Sequence, residues 1–161
     1  MSPIKRLDAP SCTNPAVGFT LIEMLVVIAI IGILAAMVIL AMQSTRLKAY
    51  DARIKSSVDQ LRIMGEVYYY SNNFSFSGYD TCLADPTDDN CPGNLAADVT
   101  AVKEELNRSQ SSGLAAAADA DGFCVGASLA TDSSQVFCKD SAGHAGLAAF
   151  AAACNTITCQ P

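Results

Sequence analysis

Residues 24 to 42 read MLVVIAIIGILAAMVILAM, nineteen in a row without a charge or a strong hydrogen-bonding side chain. A run of that length is long enough to cross a bilayer as a helix. In lipid the backbone has no water to bond, so it must satisfy its own hydrogen bonds, which again favours helix. The run accounts for much of the 51% hydrophobic and only 16% charged composition, an apolar balance for a soluble domain. Gly32 and Ala36 form a small-xxx-small pair inside it. Such a pair lets a second helix approach closely, although generic membrane packing is the better account of it.

Glu23 stands at the edge of this run, with Phe19, Leu21 and Ile22 before it. An ionised carboxylate in such surroundings is costly unless it is paired. The residues ahead of it do not read as an ordinary secretory signal. There, a basic n-region leads into an apolar core and the cut follows that core. Here Lys5 and Arg6 are followed by the polar stretch DAPSCTNPAVG, and the apolar core begins only after Gly18. Cutting at the end of this leader leaves the hydrophobic segment on the mature chain.

Gly18-Phe19-Thr20-Leu21-Ile22-Glu23, running into MLVVIAIIGILAAM, resembles the processing motif of type IV pilins and the related pseudopilins. The resemblance is dense over about 25 residues and specific there. It implies cleavage between Gly18 and Phe19 by a prepilin peptidase, and N-methylation of Phe19. The family glutamate matches Glu23. Cleavage then creates an ammonium group at Phe19 at the depth of the apolar helix, and Glu23 of a staggered neighbour is the anion that can meet it. Truncating either partner of such a buried pair is costly, so the pair acts mainly as a check on register. Many pilins carry a proline in this helix; the corresponding residue here is Leu40.

Charge and cysteines bear on topology. Arg46, Lys48, Arg53 and Lys55 follow the apolar run, whereas only Lys5 and Arg6 precede it. The positive-inside rule taken alone puts the C-terminal part in the cytoplasm. The cysteines argue the reverse: Cys12 precedes the run, and the six others, Cys82, Cys91, Cys124, Cys138, Cys154 and Cys159, follow it. An even set on one side points to disulfides in an oxidising compartment. The leader and the cysteine split together give N-inside, C-outside.

Past the run, Leu47, Tyr50, Ile54, Val58, Leu61, Gly65 and Tyr68 fall at spacings of 3 and 4, one stripe of an amphipathic helix. Asp51 with Lys55, and Arg62 with Glu66, are opposite charges four apart on other faces. One helix is expected from about residue 19 to about 70, ending near Asn72-Asn73 and about 75 Å long. The aromatic residues Tyr68, Tyr69, Tyr70, Phe74, Phe76 and Tyr79 are expected to pack at its end. DTCLADPTDDNCPGN reads as a loop. Its Asp85, Asp88 and Asp89 lack the EF-hand spacing; a solvated acidic loop is expected, with calcium allowed by the pseudopilin resemblance. LAADVTAVKEELNR, residues 95 to 108, reads as a short helix. FCVGASLA and QVFCKD flank a turn-like TDSS. A hairpin centred on Thr131 sets Cys124 opposite Cys138 and Val125 opposite Phe137. For Ala145 to Ala153, helix and strand stay open. Six cysteines allow fifteen pairings; closing short loops favours Cys82–Cys91, Cys124–Cys138 and Cys154–Cys159.

The expectation is an α+β pilin fold: a leader over 1–18, a long helix over 19–72 (19–42 in membrane or filament core, 43–72 amphipathic), and a small disulfide-stapled antiparallel sheet head over 73–161. The expected function is a structural subunit of a type IV pilus. Its partners are further copies of itself, the prepilin peptidase and pilus assembly machinery, and membrane lipid before assembly. A pseudopilin of a type II secretion system shares leader and helix and is the nearest alternative. A minor pilin of a DNA-uptake filament needs a basic patch, and after residue 72 the only Lys and Arg are Lys103, Arg108 and Lys139. With a net charge of −6, nucleic acid is not an expected partner. No GxSxG, HExxH or P-loop occurs, and the lone His144 lies in a Gly/Ala-rich stretch, so an enzyme is not expected.

Overall fold

The computed structural model describes residues 18–89, 91–150 and 153–159, apart from the side chains of Leu40 and Ala41. Lys5, Arg6, Asp8, Cys12 and the rest of the expected leader before Gly18 lie outside the described residues. The architecture is α+β: a long N-terminal helix, a small four-stranded antiparallel sheet and three disulfides. Helix α1 spans Leu21–Ser71 and is continuous through Gly32. The chain divides into two compact units at Leu40/Ala41.

In the first unit α1 is apolar on every side and bare. Between Phe19 and Met42, the described large hydrophobic side chains are 46% to 82% exposed. In the second unit the same helix becomes one-sided. Ile54, Val58, Leu61, Gly65 and Tyr68 of the sequence stripe are buried, and Leu47 and Tyr50 are half-buried. The helix stops where expected. Asn73 takes a left-handed φ of 52° and the Phe74 N–H reaches back to the Tyr69 carbonyl at 3.0 Å. The Phe74 ring meets the Tyr69 ring edge-on, 5.6 Å between centroids. This is a Schellman-type ending with asparagine at the left-handed position.

Helix α2, Tyr79–Ala84, forms inside what reads as loop. Helix α3, Gly93–Arg108, buries Leu95, Val99, Val102 and Leu106. The sheet is a meander of β1 (Leu114–Ala118), β2 (Phe123–Ser128), β3 (Gln135–Asp140) and β4 (Ala145–Ala149). Phe123, Val125 and Ala127 face the helices and share their core. Cys124, Val136, Cys138 and Ala148 face the other way, against Ala153 and Cys159 of the C-terminal segment. Strand β2 is therefore buried on both faces. The strands β1 and β4, LAAAA and AGLAA, have little β-propensity of their own; pairing with β2 and β3 makes them strands.

The hairpin register differs from the expected one. Cys124 lies opposite Asp140, Val125 opposite Lys139 and Phe137 opposite Ala127, so the turn centres on Asp132. The cause is remote in sequence. Asp51 of α1 accepts the Ala130 N–H at 2.7 Å, the Thr131 N–H at 3.2 Å and the Thr131 hydroxyl. Asp51 and Lys55 do not pair with each other as expected. Lys55 sits 5.5 Å from the Phe137 ring centroid, Asp59 meets Lys139 at 2.5 Å, and Arg62 donates to the Asp140 and Ser141 carbonyls while staying 3.7 Å from Glu66. Spaced 4, 4 and 3 along α1, these four side chains run beside the hairpin and hold its register.

The register also decides the disulfides. Cys82–Cys91 forms as expected, but Cys124–Cys138 and Cys154–Cys159 do not. Cys124 bonds Cys154 and Cys138 bonds Cys159, with Cα separations of 5.5 and 5.7 Å. Moving the turn centre by one residue shifts the pairing by two. Cys124 and Cys138 then share a face without being opposite, and each is free to take a cysteine of the segment covering that face.

Candidate processing and assembly site

Gly18 and Phe19 precede α1 and are exposed. A side chain at position 18 would meet nothing within 4 Å, so the described part of the fold places no demand for glycine there. Thr20 and Glu23 tie the start of the helix. The Thr20 N–H and hydroxyl donate to Glu23 Oε2 at 2.9 and 2.8 Å, and the Glu23 N–H donates to Thr20 Oγ1 at 3.3 Å. This is a capping box, in which threonine before the first helical residue and glutamate three positions later satisfy each other's free N–H groups. The sequence reading missed Thr20. Its T-x-x-E spacing ahead of an apolar run was the available signal. The site thus brings Gly18, Phe19 and Glu23 together with Thr20 in one exposed cluster at the end of a bare apolar helix.

The family model described as the prokaryotic N-terminal methylation motif matches residues 18–39. The chain carries the leader signature of type IV pilins and pseudopilins. The signature supports a pilin-like or pseudopilin precursor in general. The matched span ends within the apolar run, so the sheet and disulfides of the second unit rest on the structure. No curated protein and no solved structure matches the chain. With the signature goes an α1 long and apolar enough to cross a membrane, none of whose apolar window is buried. The combination is consistent with a membrane-anchored subunit.

Asp140, His144 and Asp85 make contacts that serve the fold. Asp140 is fully buried and accepts the His144 N–H at 2.8 Å, the Cys159 N–H at 3.2 Å and a bond with His144 Nδ1 at 2.9 Å. Burial by itself raises its carboxyl, but the bonds from His144 and Cys159 outweigh it and hold the group below the usual aspartate range. His144 lies largely in solvent, as expected, yet it is tied to this buried acid. In the acidic loop Asp85 accepts the Thr87 N–H and hydroxyl. Among the described residues no group of three or more His, Cys, Asp or Glu is placed to hold a metal ion.

Proposed function

We propose that the chain is the precursor of a type IV pilus subunit, cut between Gly18 and Phe19 and anchored by residues 19–42 with its N-terminus inside. On this reading subunits polymerise by packing their apolar helices, and the new Phe19 amine of one meets Glu23 of its neighbour. The observation that carries the proposal is the methylation signature lying on a helix with no apolar face covered. An all-round apolar helix needs either lipid or other helices, and a filament supplies the second. The exposed, sterically unforced Gly18 agrees with a requirement set by a peptidase. Glu23 already lies at the helix start through Thr20, where an incoming ammonium has a fixed acceptor. The six cysteines bonded within the second unit agree with its placement outside the cytoplasm.

The test is Glu23→Ala. Membrane insertion and cleavage are expected to persist, with sheared surface filaments reduced to a small fraction of wild type. Wild-type amounts of filament from this variant would overturn the pairing. The same shear fraction separates the pilus reading from the pseudopilin alternative, whose filaments stay within the envelope.

A further inference from the structure

The basic residues after the apolar run stand against the positive-inside rule and have no part in the processing site. Four of the chain's ten Lys and Arg lie between Arg46 and Lys55, in a protein of net charge −6. Their neighbourhood divides them. Lys55 rests over the Phe137 ring, and Arg53 lies 3.6 Å from Glu105. Arg46 and Lys48, nearest the apolar run, make no ion pair among the described residues. The intervening acid, Asp51, is occupied by the β2–β3 turn.

We propose that this turn of α1 binds anionic phospholipid headgroups of the leaflet on the C-terminal side of the span. The proposal rests on the reading of residues 19–42 as the membrane segment. The α-helical rise puts Arg46 about 6 Å and Lys48 about 9 Å beyond Met42. A headgroup layer is only about 5–8 Å deep on each side of the hydrocarbon, so Arg46 stands at headgroup level and Lys48 just beyond it, within reach through its long stem. Arg46 borders a shallow hollow with Tyr50 and the Glu105-paired Arg53, and its guanidinium fork suits a phosphodiester. Arg46 also borders a second hollow with Gln43, Tyr50 and Gln110. Gln110 comes from the turn after α3 and is held at a left-handed φ of 61°, an uncommon conformation for a residue with a side chain. Its amide and that of Gln43 are suited to the hydroxyls of a glycerol headgroup. The headgroups would orient the unassembled subunit, and release from them would accompany entry into the filament.

The test uses the full chain in nanodiscs of equal phosphatidylcholine and phosphatidylglycerol, with the lipid retained on the released protein read by native mass spectrometry. The retained ratio of phosphatidylglycerol to phosphatidylcholine is expected to exceed the bulk ratio by about tenfold or more. The exposed double variant Arg46→Gln/Lys48→Gln is expected to lose that enrichment, by about fivefold for each charge removed. Retention in the bulk ratio by wild type, or unchanged enrichment in the double variant, would overturn the proposal. So would a variant that keeps its lipid selectivity but loses filaments, which would assign the cations to a neighbouring subunit. Extraction of the wild-type chain by alkaline carbonate would instead sink the membrane reading, a separate failure.

Discussion

Gly65 is the position where one methyl group tests the packing of α1 on the sheet. An ideal Cβ there falls 2.6 and 2.9 Å from Phe123 Cε1 and Cε2, and closer still to Cζ. The ring has no room to retreat: Phe123 is fully buried, 5.0 Å from the Phe76 ring and 5.2 Å from the Tyr79 ring between centroids. Two effects oppose each other in Gly65→Ala. Alanine is favoured over glycine within a helix by about 1 kcal/mol. Forcing an extra methyl into a packed core costs about 1–3 kcal/mol. The net expectation is a loss of up to about 2 kcal/mol, which for a chain of this size lowers the melting temperature by up to about 8 °C. Thermal unfolding of the full chain in detergent, followed by near-ultraviolet circular dichroism of the tyrosines, measures it. Adding Phe123→Leu should recover part of the loss, because the two sites are in contact and do not add independently. A Gly65→Ala protein that melts above wild type, or strictly additive behaviour of the pair, would refute the close approach of helix and ring.

Non-reducing digestion followed by mass spectrometry is expected to return peptides linking Cys124 to Cys154 and Cys138 to Cys159; a Cys124–Cys138 link would show that the hairpin register is wrong. Removing either of these two bridges, with sequence separations of 30 and 21, is expected to cost about 3–4 kcal/mol by loop-closure entropy. Asp140 has a folded pKa below its unfolded value, so its contribution to stability is in place above about pH 4 and is lost as pH falls through the folded value. The melting temperature is therefore expected to fall less steeply below pH 4 in Asp140→Asn than in wild type, and parallel curves would exclude the role given to this carboxylate.

Local signals carried much of the architecture. The apolar run, the 3- and 4-residue stripe from Leu47 to Tyr68 and the stripe Leu95, Val99, Val102, Leu106 each repeat within a few residues, and each became a helix or a buried helical face. The pair Asn72-Asn73 marked the helix end, and Asn73 supplies the left-handed turn there. The T-x-x-E box was equally local and was overlooked, although it defines the geometry around Glu23. Alanine runs were a different matter. LAAAA and AGLAA carry no polar/apolar alternation and little propensity, so nothing within those segments distinguishes strand from helix.

The sequence by itself determined a methylation-type signature running into an apolar helix, because both are contiguous in the chain. It also determined that the helix turns one-sided after Met42, because burial on one face must repeat with the helical period. Only the tertiary structure decided why Gly65 is glycine, where the β2–β3 turn centres and which cysteines meet. Each depends on groups distant in sequence: the Phe123 ring against α1, Asp51 bonded to a turn 79 and 80 residues away, and a C-terminal segment laid over the far face of the sheet. A disulfide follows the distance between two Cα atoms in the folded chain, and that distance is set by the register and by α1 beside it.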